Sequence, residues 1–415
     1  MSLIRRCDEY LFHDPDDRIT LCDDNRAYVR LPARALRSTG RNAWLIATCS
    51  WTNVLCPITL FAVMLDPSNL SLSASFWLNY TALISLVGLF RYASEVLSVE
   101  APAPVKKIWN ATLGSFSPDV EVAFIALCKG YYMPVKIYIT GKISTTLLLT
   151  LGLCFLTSGS LRSSDHWNTS LNYTMNSLLI GSIIPYVLIA TFESLYQTRK
   201  GNRPATVLSL GISLFLLALY VLYHFFRKTH SARFEHTARI ETPPRVMRKI
   251  SSVVAIALMA LTIFATRVCS LPMLNTIATA SDHSANDEYV PTIEIFGFCL
   301  LPCLAELPEL IKICSLAFQG EMDISFEVAT ATGLHTMLLV GPCFCLFTWC
   351  MGSVMDLNLG GFNSVVLLLN VWVSSLINRY GESNYLHGVA FYMLYAVEVL
   401  AFYMCPPDLY TDPSR

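Results

Sequence analysis

Charged residues are scarce in this sequence. Aspartate, glutamate, lysine and arginine make up 14% of its 415 residues, whereas 54% are hydrophobic and the mean hydropathy is +0.49. So few charges cannot cover a water-exposed surface, which excludes an ordinary soluble enzyme and indicates a polytopic membrane protein. The formal net charge of −1 leaves no excess of either sign, so we expect no nucleic-acid partner.

The patterns of a resident metal and of a secretory leader are also missing. The 14 cysteines lack the paired spacing of a zinc site, and Cys343 and Cys345 lie in an apolar run, where cysteine behaves as a small hydrophobic residue. The histidines form no cluster with metal-ligand spacing. A metal-dependent intramembrane hydrolase is therefore a weak hypothesis. The first 42 residues are polar and arginine-rich, so no signal peptide is expected. We expect no enzymatic activity and no cofactor.

Long apolar runs dominate instead. A membrane-spanning helix needs about 20 apolar residues. Runs near that length lie at about 43–64, 74–94, 108–129, 133–158, 176–196, 206–226, 250–269, 292–318, 325–351, 362–379 and 387–405. We therefore predict an all-α polytopic membrane protein of about 11 transmembrane helices.

These spans predict a division of the chain into five parts. They are a polar and basic tail (1–42), a leading helix with the first transmembrane repeat (43–226), a basic linker (227–249), the second transmembrane repeat (250–405) and a C-terminal tail (406–415). Because each repeat has five spans, an odd number, the two repeats must insert with opposite orientation. Lysine and arginine crowd the first tail and the linker, which favours a cytosolic N-terminus. Arg199, Lys200 and Arg203 disagree with that orientation.

Two of the apolar runs carry a proline followed by an acid. Ser117-Pro118-Asp119 and Leu307-Pro308-Glu309 align without a gap at an offset of 190 positions. The same register pairs Gly130 with Gly320, Thr140 with Thr330, Thr146 with Thr336, and Leu148-Leu149 with Leu338-Leu339. Duplicated halves with interrupted helices in corresponding positions are the best sequence indication of a transporter's midplane site.

The two acids suggest the chemistry of that site. An intramembrane acid costs roughly 2.5–3.5 kcal/mol on insertion scales, so Asp119 and Glu309 are expected to be functional. Pro118 and Pro308 each remove a backbone donor and are expected to break their helices, exposing carbonyl oxygens. Because carboxylates bind both cations and protons, and two acids in contact cannot easily both stay ionised, we predict that Asp119 and Glu309 are shared metal-cation and proton ligands. The alternative is two isolated acids satisfied by neighbouring helices.

Other polar residues are candidates for supporting roles. Hydroxyl ligands could come from Ser117, Thr145, Thr146, Thr332 and Thr336, since calcium takes six to eight oxygens. Glu306 shares a helix face with Glu309 and is expected either to support or gate the site or to lie at the interface. His335 is a candidate ligand or proton relay, or a histidine that is only hydrogen-bonded in the bundle. Glu95, beside Arg91, is a candidate for a proton path or for an interfacial ion pair.

At these residues the chain resembles the CAX-type cation/proton exchangers of the calcium/cation antiporter superfamily, over about 43–160 and 250–405. The motifs are Tyr92-Ala93-Ser94-Glu95, Gly114-Ser115-Phe116-Ser117-Pro118-Asp119, Gly141 with Thr145-Thr146, Ala305-Glu306-Leu307-Pro308-Glu309, Met322-Asp323-Ile324, Pro342 and Met355-Asp356-Leu357-Asn358-Leu359. The resemblance implies inverted repeats with the cation between two acid-bearing helix pairs. It also implies calcium export from cytosol to an acidic vacuole, driven by protons, with Asp119 and Glu309 binding the cation.

The chain departs from the family's motifs at several positions. Ser115-Phe116 and Ala305-Glu306 replace Gly-Asn, His335 replaces glutamine, Ala331-Thr332 replaces Gly-Ser, and Phe264-Ala265-Thr266-Arg267 lacks an expected acid. Two alternatives therefore stay open beside calcium/proton exchange. One is a transport-deficient relative that serves as a membrane sensor or interaction protein, and the other is an exchanger for Mn²⁺, Na⁺ or K⁺. The expected partners are the bilayer, the cation and protons, with the oligomeric state open.

Overall fold

The computed structural model describes residues 55–64, 70–100, 117–160, 165–166, 169–196, 203–229, 252–282, 290–352 and 355–404. The predicted tails at 1–42 and 406–415 and most of the basic linker lie outside these residues, as do the first positions of the leading span. All described residues fall in one compact unit.

The described residues form a helix at each of the predicted spans. The helices are α1 (Cys56–Met64), α2 (Leu72–Glu100), α3 (Pro118–Cys128), α4 (Tyr132–Gly159), α5 (Thr169–Tyr196), α6 (Arg203–Thr229), α7 (Ser252–Asp282), α8 (Ile293–Ile295, Phe296–Leu300 and Leu301–Gln319 in succession), α9 (Met322–His335, Thr336–Val340 and Gly341–Cys350 in succession), α10 (Gly361–Tyr380) and α11 (Tyr385–Met404). Seven of them are long and apolar enough to cross a membrane. The all-α polytopic architecture is confirmed.

Two glycines end corresponding helices in the two halves. Gly130 follows α3 with φ of +82°, and Gly320 follows α8 with φ of +90°. Glycine reaches this left-handed region without a Cβ clash, and it commonly closes helices. The backbone therefore repeats at the predicted offset of 190 positions.

The two prolines behave differently from each other. Ser117 is the extended N-cap of α3 (φ −79°, ψ 165°), and Pro118 occupies the first helical position, where its missing N–H has no helical partner to lose. Pro308 instead lies inside the uninterrupted stretch Leu301–Gln319. The prediction of a broken helix is thus wrong at Pro308, where the helix continues and Arg91 Nη2 donates to the Ala305 carbonyl in the turn before the proline.

Short π-helical segments interrupt the helices that follow the two acids. One covers Thr145–Thr150 in α4 and the other covers Thr336–Val340 in α9. The offset of 190 places position 146 on 336 and position 150 on 340. Each π segment inserts a residue into its helix, so the duplication extends to an irregular feature of the backbone.

The path of the chain agrees with inverted repeats. Strand β1 (Asp165–His166) follows α4 and pairs antiparallel with β2 (Glu382–Ser383), which follows α10. Six crossings separate these two points, an even number, so both lie on one side of the helical bundle. By the same count, α3 and α8 are five crossings apart and run in opposite directions.

The two halves meet at glycines where α4 crosses α8. A Cβ on Gly141 would lie 2.1 Å from the Phe298 carbonyl oxygen, and one on Gly297 would lie 3.0 Å from that of Pro134. Of the long helices, α4 and α9 are the most buried. The centre of the molecule is therefore built from the helices that carry or follow the two acids.

Candidate cation site

Asp119 is sealed inside the first half. Its side chain has no exposed surface and accepts hydrogen bonds from Ser117 Oγ, Tyr138 Oη (2.5 Å) and Lys142 Nζ (2.5 Å). Lys142 is 5% exposed and lies 3.3 Å from Tyr138 Oη. The start of α3 supplies the acid and α4 supplies the base, so this ion pair forms within one repeat.

Glu309 has a basic partner from the other half. Arg91 Nη1 of α2 donates to Glu309 Oε2 at 2.8 Å, and Arg91 Nη2 donates to the Ala305 carbonyl at 3.0 Å. The side chains are 25% and 19% exposed, respectively. Pro308 lacks the N–H that would bond one turn back, and the guanidinium binds a carbonyl oxygen in that turn.

Glu306 is the third acid of this cluster. It is buried, and its Oε1 has no hydrogen-bond partner. It lies within electrostatic range of Glu309, Lys142, Arg91 and Asp119. A cluster of three acids and two bases leaves Glu306 without a basic partner of its own, so its free oxygen is an open ligand position for a cation or a proton.

The predicted hydroxyl ligands are distributed among several roles. Ser117 donates to Asp119 itself. Thr145 shares a hydrogen bond of 3.1 Å with Tyr395, whereas Thr146 donates to the Lys142 carbonyl. Thr332 and Thr336 donate to carbonyls one turn earlier in their own helix. Of the five, the structure places Ser117 in direct contact with a predicted acid.

His335 and Glu95 have partners other than the ones considered from sequence. His335 Nδ1 lies 2.9 Å from Tyr220 Oη, and its buried Nε2 has no hydrogen-bond partner. Glu95 lies 3.6 Å from Lys312, with both side chains largely exposed. The contact with Lys312 places Glu95 in an ion pair at the surface, while Arg91 donates to Glu309.

The sequence reasoning missed Lys142 and Tyr138 and did not find the partner of Arg91. A lysine inside an apolar run was a usable signal, because it costs about as much to insert as an acid does. Its partner was harder to find, since the pairing across 23 positions depends on how α3 and α4 pack.

The predicted site of two adjacent acids is therefore a site of two ion pairs. Asp119 binds Lys142 and Glu309 binds Arg91, so each carboxylate is neutralised by a base. Within the described ranges, no group of three or more His, Cys, Asp or Glu side chains is arranged to hold a metal ion. Each base contacts one of the two carboxylate oxygens of its acid, Oδ2 of Asp119 and Oε2 of Glu309.

A transmembrane bundle of two inverted repeats, with an acid at the equivalent position of each repeat, is typical of secondary transporters. The family model described as "Sodium/calcium exchanger protein" matches residues 71–228 and 250–404, which is most of the chain. The chain belongs to this family of membrane exchangers.

Relatives and solved structures agree with this assignment. The chain is 27% identical over 361 residues to a vacuolar calcium ion transporter of Schizosaccharomyces pombe, covering 85% of this chain and 84% of that protein. It is 25% identical over 396 residues to vacuolar cation/proton exchanger 1b of rice (Oryza sativa subsp. japonica), covering 90% and 84%. The fold matches that of the Ca²⁺/H⁺ antiporter YfkE with a TM-score of 0.69 at 20% identity, over 85% and 98% of the two chains.

Proposed function

We propose that this protein is a secondary active antiporter that exchanges a cytosolic cation, calcium in the first place, for lumenal protons. The membrane would be that of a vacuole or another endomembrane, with the N-terminus in the cytosol. The observation that carries the proposal is the pair of acids, Asp119 and Glu309, at equivalent positions of two inverted repeats. The names of the matched relatives support calcium and protons as the exchanged ions.

The geometry suggests how the two ions would compete. Asp119, Glu306 and Glu309 supply carboxylate oxygens, and Ser117 and Tyr138 supply hydroxyls next to Asp119. Calcium prefers such a mixture of oxygen ligands. A carboxylate that binds a proton loses its charge and much of its affinity for calcium, so protons arriving from one side would expel the cation there. No resident cofactor takes part in this scheme.

The decisive experiment measures proton-driven flux in liposomes. The purified protein is reconstituted, a pH gradient is imposed, and uptake of calcium, manganese, sodium and potassium is compared. We expect calcium uptake that collapses when the gradient is dissipated. Asp119→Asn and Glu309→Gln should each abolish it, whereas Glu294→Gln, a buried acid at the start of α8, should retain it. Full flux in both neutralised acid variants would remove the site assignment.

A second function is favoured by one observation. Both predicted ligands already hold an internal base, Lys142 or Arg91. A relative that no longer transports, and serves as a membrane sensor or interaction protein, would have this arrangement. Absence of flux for all four ions in a folded, reconstituted protein would favour this second function.

A further inference from the structure

The ammonium group of Lys142 stands where an ion would bind to Asp119. Its Nζ lies 2.5 Å from Asp119 Oδ2 and 3.3 Å from Tyr138 Oη. Calcium–oxygen distances are about 2.3–2.6 Å. The lysine therefore approaches the carboxylate as closely as a bound calcium ion would, and the two cannot occupy this oxygen from the same direction.

Stability alone does not explain the pair. Removing two charges from water costs several kcal/mol per ion, and apolar side chains of similar size often stabilise a protein as well or better. Both side chains are almost fully buried, at 5% and 0% exposure. Solvent therefore does little to offset that cost.

The second half has no equivalent of this lysine. The offset of 190 places Thr332 opposite Lys142, and the Thr332 hydroxyl donates to Val328. Glu309 is bound instead by Arg91, which is 25% exposed and reaches it from another repeat. The two bases therefore differ in burial, since Lys142 is enclosed with the acid that it binds.

We propose that Lys142 sets the affinity of the cation site: its ammonium group occupies the ligand position at Asp119 in the ion-free protein, and the transported cation has to displace it. The inference rests on the proposed antiport function. In this proposal Lys142 competes with the cation for Asp119. The apparent affinity for the cation is therefore lower than the carboxylates and hydroxyls alone would provide. Removing the charge while keeping a hydrogen-bond donor should raise that affinity.

The groups that surround Lys142 define what the test must control. They are Asp119 on α3, Tyr138 on its own helix, Glu306 and Glu309 on α8, and His335 on α9. All measurements are therefore made at one fixed pH.

The test compares calcium binding by titration calorimetry in detergent with calcium uptake in liposomes. Lys142→Gln keeps a donor for Asp119 but removes the charge, and we expect a Kd at least about 10-fold lower than in the wild type, equivalent to about 1.4 kcal/mol. Lys142→Arg keeps the charge and should bind no tighter than the wild type. Lys136→Gln is the matched control, since Lys136 also lies on α4 and contacts Asp356 at 2.5 Å, outside the site. It should leave the Kd unchanged.

Each outcome decides between the two claims. An active wild type with an unchanged or weaker Kd in Lys142→Gln overturns the inference and leaves the antiport function standing. A wild type that transports none of the four cations, with calcium binding gained in Lys142→Gln, overturns the antiport function but still supports competition between Lys142 and a cation at Asp119. Calcium binding in neither protein overturns the inference, and the fluxes of the four cations then decide the antiport function. If Lys142→Gln does not fold without calcium, rescue of its melting temperature by calcium supports tighter binding, and lack of rescue contradicts it.

Discussion

The two halves of this molecule are more similar in backbone conformation than in the ion pairs that their acids form. Gly130 and Gly320 end corresponding helices with nearly the same φ, and the π segments fall in the same register. The acids differ: Asp119 is sealed with a base of its own repeat, whereas Glu309 is partly exposed and bound to Arg91 from the other repeat. The duplication therefore reproduces the local backbone, whereas Asp119 and Glu309 pair with bases at non-equivalent positions.

The largest expected effect comes from removing the sealed acid. Asp119→Ala leaves the buried Lys142 without its counter-ion and should destabilise the protein by about 3–5 kcal/mol. Glu309→Ala should cost less, because Arg91 is 25% exposed and keeps its hydrogen bond to the Ala305 carbonyl. Melting temperatures of the purified variants in detergent check the difference. Equal losses would show that the two pairs are energetically alike, and Asp119→Ala with Lys142→Ala should recover part of the stability.

A smaller effect is expected where the halves cross. Gly141→Ala would place a methyl group 2.1 Å from the Phe298 carbonyl oxygen, and overpacking of this kind costs about 1–3 kcal/mol. The corresponding position of the second half already holds Ala331. Gly181→Ala serves as the control, because no atom lies within 4 Å of its added Cβ. The yield of monodisperse protein on size exclusion measures the effect, and a Gly141→Ala variant as stable as the control would contradict the close crossing.

The helix-ending glycines should respond equally in the two halves. A residue with a Cβ in the left-handed region costs roughly 1–2 kcal/mol, so Gly130→Ala and Gly320→Ala should lower the melting temperature by similar amounts. Gly130→Asn should lower it less, since asparagine tolerates this conformation better. A loss at only one of the two glycines would break the predicted backbone equivalence.

The smallest effect is expected at His335. Tyr220→Phe removes the hydroxyl that lies 2.9 Å from His335 Nδ1, a change of about 0.5–1.5 kcal/mol in stability. If His335 only packs the bundle, calcium uptake per folded molecule should be unchanged. Uptake that falls several-fold without loss of folded protein would place His335 in the ion path.

The features that were predictable are those set by neighbours in the sequence. Helices at each of the predicted spans, the offset of 190 positions and the glycine ends follow from apolar runs and from the backbone needs of single residues. Pro308 was predicted incorrectly because the effect of an interior proline depends on whether another element satisfies the carbonyls before it, as Arg91 does at Ala305.

The ion pairs were not predictable for a different reason. Arg91 and Glu309 are 218 positions apart, and their contact exists only once α2 packs beside α8. Lys142 was visible as an intramembrane charge, but whether it faced an acid, a cavity or the interface depended on the rotation of α4. The sequence thus indicated which charged residues are costly to bury. Which base or acid neutralises each of them became visible only in the packed helices.

The π segments have a further mechanical consequence. One residue of an α-helix corresponds to a turn of about 100°, so the extra residue in Thr145–Thr150 rotates everything beyond it relative to Lys142. The extra residue therefore sets the direction in which Gly152 faces relative to the direction in which Lys142 faces. Deleting a single residue in this segment would swing Gly152 away from Phe391, which lies 3.0 Å from the Cβ position of Gly152. The length of this segment therefore determines which face of α4 meets Phe391 beyond it.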